Sequence, residues 1–200
     1  MNYYKNTKRL FDISFSIILF VVIFPLIFIS SILILLIDKQ SPFFVQDRSG
    51  INGKEIKIYK LRSMKFNGNE NKITLLGKFL RITKIDEIPQ LINVIKNDMS
   101  IIGPRPLYNE FNLYYKKKHK LRLKTKPGIT GLAQIKIRDS TNWSRKFNFD
   151  YIYVKKCNFS LDIYILFNTL AIVLKSIFFK SERYKETVDY KKSFFQNYCK

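Results

Sequence analysis

One histidine, two cysteines and one tryptophan are spread over 200 residues. The lone His119 sits inside Lys116-Lys117-Lys118-His119-Lys120, where a solvated position is expected rather than a catalytic one. A Ser-His-Asp triad or a His/Cys metal site therefore has almost no material to work with. Cys157 and Cys199 form no spaced framework, so no disulfide scaffold is expected and a reducing compartment is natural. Acidic residues are also scarce, with 15 Asp+Glu against 36 Lys+Arg and a net charge of +21. Such an imbalance points to an anionic partner: nucleic acid, acidic lipid or a phosphorylated substrate. Any catalysis must run on carboxylates, Arg and Lys, with or without a hard metal ion.

What the chain does have is one long apolar run. Between Asp12 and Asp38 every residue is uncharged, and most are Ile, Leu, Phe or Val. Spanning a bilayer takes roughly 20 such residues. The run is too long for a signal-peptide core and lacks a small-residue cleavage site, so it is expected to persist in the mature protein. Lys5, Lys8 and Arg9 outweigh Asp12 before it, and the chain after it is strongly basic. The positive-inside rule wants both flanks in the cytoplasm, which one straight span cannot satisfy. Pro25, at the centre, supplies a cause for a bend. Proline is nevertheless tolerated in membrane helices, and sequence physics alone puts the straight span slightly ahead. A membrane-bound basic chain also shifts the expected partner toward anionic lipid and phosphate, away from nucleic acid.

Past the run, Phe43 to Gln46 and the alternating Ile56-Lys57-Ile58-Tyr59-Lys60-Leu61 flank a Gly-rich turn and read as a small β-hairpin. Asn67 to Asn71 reads as a polar loop. Leu75 to Thr83 is expected to be helical, and Pro89 to occupy the first turn of a second helix ending near Asn97-Asp98. Tyr108 to Thr125 reads as one strongly basic helix. Ile163 to Leu174 is an uncharged run too short to span, hence a core or interfacial helix. The fold class is α+β, mainly helical. The divisions are a membrane-anchoring segment 1–38, a globular domain 39–180 and a basic aromatic tail 181–200, read as an amphipathic surface anchor.

Two features carry possible chemistry. Asp86-Glu87 sits where a helix dipole favours negative charge, and Arg81 and Lys84 just upstream favour the ionised form. Such a carboxylate can be a nucleophile or a Mg²⁺ ligand; equally, it can be an acidic first turn with surface ion pairs. Arg105, between Pro104 and Pro106, is presented at low entropic cost and suits bidentate phosphate binding; equally, it can be an exposed Arg in an ordinary proline-rich turn. Lys60 and Arg62 end the strand nearby in sequence. Gly50-x-x-Gly53-Lys54 lacks the full spacing of a phosphate loop.

Together the motifs resemble the bacterial sugar transferase family, the small monotopic phosphoglycosyl transferases. The resemblance runs in order from Lys8-Arg9-x-x-Asp12 through Phe44-x-Gln46-x-Arg48-x-Gly50 and Lys60-Leu61-Arg62-Ser63-Met64. It continues with Arg81, Asp86-Glu87-Ile88-Pro89-Gln90-Leu91, Asn93-Val94-x-Lys96-x-Asp98-Met99-Ser100 and Gly103-Pro104-Arg105-Pro106. It closes with Pro127-Gly128-Ile129-Thr130-Gly131-x-Ala133-Gln134 and Trp143.

The resemblance implies transfer of a sugar-1-phosphate from a UDP-sugar to polyprenol (undecaprenyl) phosphate, with release of UMP. It makes Asp86 the nucleophile of a two-step reaction and Glu87 its partner, with both placed at Mg²⁺. Arg81 and Arg105, then Lys60 and Arg62, are implied to hold phosphate. It also implies a re-entrant N-terminal helix at the bacterial cytoplasmic membrane, with the catalytic domain on the cytosolic face. Lys8 and Arg9 would lie at the headgroups and Pro25 at the break, although Phe24 stands where relatives often carry Ser. With no room for the extra membrane helices of larger relatives, a minimal catalytic form is expected. A reading from another class is a non-catalytic, membrane-anchored basic adaptor that binds acidic lipid or nucleic acid.

Overall fold

The apolar run forms a helix, α1 (Asn2–Leu33), in a computed structural model that describes residues 2–67, 70–137, 142–178 and 190–198. Helix α1 continues through Pro25 and passes into a π turn over Ile34–Asp38. Lys39, left-handed at φ 53°, ends it. Pro25 has no N–H, which frees the carbonyl one turn back. The Ser31 hydroxyl does not serve that carbonyl; it donates to Ile27 at 2.8 Å.

Two units divide the chain: Met1–Asp47 with Lys57–Ile101, and Arg48–Ile56 with Ile102–Lys200. The expected hairpin is present as β1 (Phe43–Ser49) and β2 (Glu55–Leu61), neighbours in one sheet. A 3-10 turn over Ile51–Gly53 joins them, with Asn52 at φ 55° and Gly53 at φ 80°. Positive φ at successive turn residues explains why Asn and Gly stand there.

The stretch 67–71, expected as a polar loop, is strand on either side of Gly68 and Asn69, which lie outside the described residues. Strands β3 (Met64–Asn67) and β4 (Glu70–Ile73) pair antiparallel, Met64 opposite Ile73 and Asn67 opposite Glu70.

In the first unit, α2 (Leu75–Thr83) starts at Thr74, whose hydroxyl accepts from the Gly77 N–H at 2.9 Å and donates to Asp38 at 2.9 Å. That is an N-cap tied to the end of the π turn. Helix α3 (Leu91–Ile95) follows a 3-10 turn over Ile85–Gln90, so Pro89 lies inside that turn and not at the start of an α-helix. The unit's core joins Ile27 and Ile34 to Leu61 and Leu80.

At the other end of α1, the Arg9 guanidinium donates to the carbonyls of Val94 (2.6 Å) and Ile95 (3.1 Å), at the negative end of α3. Buried Asp12 accepts from Ser100 Oγ at 2.6 Å and the Ile101 N–H at 3.3 Å, with Lys8 3.7 Å away. Both ends of the apolar helix are thus bound by the same unit.

The chain passes into the second unit at the last residue of β5 (Ser100–Ile102), and β6 (Gly128–Thr130) and α4 (Leu132–Lys136) lie in that unit. Helices α5 (Trp143–Lys156), α6 (Phe159–Phe178) and α7 (Tyr190–Asn197) complete it.

The basic helix expected over Tyr108–Thr125 does not form. Two 3-10 turns, Asn109–Leu113 and His119–Lys124, stand in its place. As an α-helix it would set Lys116 against Lys120, Lys118 against Arg122 and Lys120 against Lys124, and like charges four apart oppose helix. His119 is buried, contrary to expectation. Its Nδ1 lies 2.7 Å from the Tyr198 hydroxyl and its Nε2 3.1 Å from Asn148 Oδ1. Burial pushes its pKa down, with the Asn148 hydrogen bond opposing.

The tail residues 190–198 do not serve as a surface anchor throughout. Phe194 and Tyr198 are buried with Leu107, Phe111, Tyr115, Trp143 and Phe147, and the Phe194 ring stacks 3.9 Å from that of Phe111. The uncharged run Ile163–Leu174 lies inside the longer α6, because Asn158 caps its start and buried Asp162 accepts from the Tyr153 hydroxyl at 2.9 Å. Among the described residues, two helices are long and apolar enough to cross a membrane, Asn6–Asp38 and Phe159–Phe178. Phe167, Leu170, Leu174 and Phe178 of the second lie exposed.

Candidate active site

Asp86 and Glu87 lie in the 3-10 turn between α2 and α3. Lys84, left-handed at φ 63°, ends α2 and starts the turn, and the Glu87 N–H closes it onto the Lys84 carbonyl at 3.1 Å. Non-glycine residues adopt that conformation rarely, and locally strained backbone of this kind recurs at active sites. The turn folds the Asp86 carboxyl inward. Asp86 is buried, and its Oδ1 is sealed from solvent without a hydrogen-bond partner.

That burial decides the charge behaviour. The Asp86 pKa is raised from 3.8 to about 6, first by desolvation and then by the neighbouring Glu87 charge. Lys84, Lys60 and Arg81 pull the other way, in that order of effect. The sequence-based expectation that nearby cations favour the ionised form is correct for their contribution and wrong for the sum. At neutral pH the carboxyl is still mostly ionised, but it is more basic than an ordinary aspartate.

Around this carboxyl, Lys60 Nζ stands 3.9 Å from Glu87 Oε1. Arg81, in the last turn of α2, donates through Nε to Ser63 Oγ at 2.8 Å. Gly77 permits that bond: a Cβ there would lie 1.9 Å from the Ser63 carbonyl oxygen, so only glycine lets α2 approach this closely. Asp86, Glu87, Lys60, Arg81 and Lys84 therefore form one group. Ser63 and Gly77 belong to its framework; Ser63 stood in the Lys60-Leu61-Arg62-Ser63-Met64 motif without a role, and Gly77 escaped the sequence reading, its small size in Leu76-Gly77-Lys78 being the only signal.

Arg62 is directed elsewhere. Its Nε donates to the Ser41 carbonyl at 2.9 Å and its guanidinium lies 5.7 Å from the Phe44 ring centroid, tying the hairpin to the segment leaving α1. Arg105 belongs to the second unit, half-buried, and lines a small crevice with Ser49, Gly50, Pro104, Arg122, Thr125 and Pro127. Nearby in that unit, the Arg48 guanidinium lies 3.6 Å from the Tyr108 ring centroid.

Residues 3–176 match the family model described as bacterial sugar transferase. The chain belongs to the bacterial sugar transferase family. Among the relatives of this sugar transferase is the "Uncharacterized sugar transferase EpsL" of Bacillus subtilis, 40% identical over 84% of this chain and 88% of its own length. The "Exopolysaccharide production protein ExoY" of Sinorhizobium fredii is 30% identical over 85% of this chain and 86% of its own. The "UDP-glucose:undecaprenyl-phosphate glucose-1-phosphate transferase" of Klebsiella pneumoniae is 36% identical over 82% of this chain, which spans only 39% of that enzyme.

Among the described residues of the sugar transferase, no group of three or more His, Cys, Asp or Glu is placed to hold a metal. Mg²⁺ does not require one: it is held by one or two carboxylates, with substrate phosphates and waters completing the octahedron. Asp86 and Glu87 provide two adjacent carboxyls, one with an unsatisfied buried oxygen, and so fit such an ion.

Proposed function

We propose that this chain moves a sugar-1-phosphate from a UDP-sugar onto polyprenol (undecaprenyl) phosphate, releasing UMP, as a first membrane step of surface glycan synthesis. The observation that carries the reading is Asp86: a buried carboxyl of raised basicity, with an unsatisfied oxygen, ringed by Lys60, Arg81 and Lys84. Its chemistry matches the reaction named for the Klebsiella relative. An Asp86 oxygen attacks the sugar-bearing phosphorus. A new P–O bond forms as the bond to UMP breaks, and UMP leaves with its electron pair. An oxygen of the lipid phosphate then attacks the same phosphorus, and the bond to Asp86 breaks and restores the carboxylate.

Glu87 takes up the proton of the lipid phosphate where that group arrives protonated, with Lys60 Nζ 3.9 Å from its carboxylate. Arg81 and Arg105 hold phosphate oxygens, with Lys60 in support, while Arg62, bound to the Ser41 carbonyl, takes no part. Asp86 and Glu87 hold Mg²⁺, which when bound neutralises developing phosphate charge.

In this reading α1 enters and leaves the membrane by the cytoplasmic face, with Pro25 at its deepest point. The binding of Arg9, Asp12 and Asp38 by one unit supports a common side for both helix ends. The exposed side chains of Ile17, Val21, Val22, Phe24 and Phe28 then meet lipid. The chain on the cytosolic face suits anionic lipid through its excess of lysine and arginine.

The test is UMP release by the solubilised protein supplied with Mg²⁺, undecaprenyl phosphate and a panel of UDP-sugars. Release with one sugar, absent from Asp86→Ala, is expected. Equal release by Asp86→Ala overturns the mechanism, and salt-sensitive membrane binding that is the protein's only activity points to the adaptor.

A further inference from the structure

The Gly103-Pro104-Arg105-Pro106 loop poses an anchoring problem. Its two prolines carry no N–H, so this stretch must be fixed largely through its carbonyls. Two fixings involve backbone alone: the Gly103 N–H donates to Thr130 at 2.9 Å, and the Pro104 carbonyl accepts from the Gly128 N–H at 3.0 Å. The third, at the residue that matters, comes from a side chain. The Arg105 carbonyl accepts from Arg122 Nη2 at 2.6 Å.

Arg122 is among the most enclosed charges in the protein. Its Nε donates to Asp150 Oδ2 at 3.0 Å and its Nη1 to the Tyr115 hydroxyl at 2.8 Å, with both Arg122 and Asp150 buried. Its guanidinium also lies 5.3 Å from the ring centroids of Tyr115 and Phe147. A buried ion pair is seldom the most stabilising way to fill a core, since apolar residues of equal volume often do as well. What this pair supplies beyond filling is direction. Asp150 and Tyr115 hold two arms of a rigid planar fork, and the third arm then meets one point on the loop.

We infer that Arg122 is the positioning residue for Arg105, fixing from beneath the backbone that presents its guanidinium to a substrate phosphate. The inference rests on the phosphate role given to Arg105 above. Arg122 itself touches no substrate. Asp150 and Tyr115 act one step further back, through Arg122.

The experiment is a double-mutant cycle on the full-length protein in detergent, with kcat/KM measured against the UDP-sugar. Arg105→Ala loses a charge-assisted phosphate contact and is expected to lower kcat/KM about 10- to 100-fold. Arg122→Lys keeps a charge for Asp150 but cannot reach three partners in a plane, and is expected to lower it about 5- to 10-fold through KM, in line with a mispositioned contact. In the double variant the Arg122 loss disappears, because nothing is left to position. Tyr115→Phe gives a milder version should Arg122→Lys fold poorly, with a smaller loss that also vanishes without Arg105.

Losses that multiply in the double variants overturn the positioning role alone and leave Arg105 as a phosphate ligand. An unchanged kcat/KM in Arg105→Ala overturns the phosphate role, and the positioning role falls with it.

Discussion

Asp86→Asn should make the protein more stable while abolishing its chemistry. The carboxyl is raised from 3.8 to about 6, so between those values the native chain holds the proton more tightly than the unfolded chain does. The free energy of unfolding therefore falls as pH rises through that window and is flat above it. At 1.36 kcal/mol per tenfold, the ionised carboxylate costs the metal-free fold ~3 kcal/mol at neutral pH. Asparagine carries no charge and avoids that cost. For a chain of this size ~3 kcal/mol corresponds to roughly 6–12 °C in Tm. The assay is thermal unfolding in detergent with EDTA, wild type against Asp86→Asn, at pH 4 and pH 7.5. A gain near this size at pH 7.5 that shrinks toward zero at pH 4 is expected. A variant equal to or less stable than wild type at pH 7.5 refutes the burial argument.

Gly77→Ala places a methyl against the Ser63 carbonyl and should cost about 1–3 kcal/mol of stability by overpacking. UMP release should fall further than stability does, because Arg81 loses its seat on Ser63. Phe194→Ala should cost about 3–5 kcal/mol, the range for an emptied aromatic core site, although it lies in the tail. Thermal unfolding checks both changes. Mg²⁺ should raise the Tm of wild type and not that of Asp86→Ala/Glu87→Ala, since a ligand that binds only the native state stabilises it. An equal rise in both locates the ion elsewhere.

The parts of this fold legible in the sequence are those with local causes. The apolar run made α1 plain, the Asn52-Gly53 turn made the first hairpin plain, and α2 begins at a threonine cap where apolar periodicity begins. The Asp86-Glu87 dipeptide was visible, but its basicity was not, because neighbours in sequence are cationic while the deciding effect is burial. The same applies to His119. Its lysine-rich surroundings signal solvent, yet Tyr198, 79 residues away, completes its enclosure. Phe194 and Tyr198 looked like a tail because their partners, Phe111, Trp143 and Phe147, lie far back in the chain. Arg122 was one of seven basic residues between Lys116 and Lys126, and nothing local marks it as the buried one. Long-range packing explains each case, and none has a periodic signature.

The central claim is that Asp86 becomes covalently bound to the phosphosugar. The direct measurement incubates the protein with Mg²⁺ and its UDP-sugar without any polyprenol phosphate, then maps the digested protein by mass spectrometry. About one UMP released per protein is expected, with a sugar-phosphate mass on the peptide carrying Asp86 that is discharged when lipid phosphate is added. UMP released only when the lipid is present, with every Asp86 peptide unmodified, contradicts it and leaves direct transfer between the two substrates.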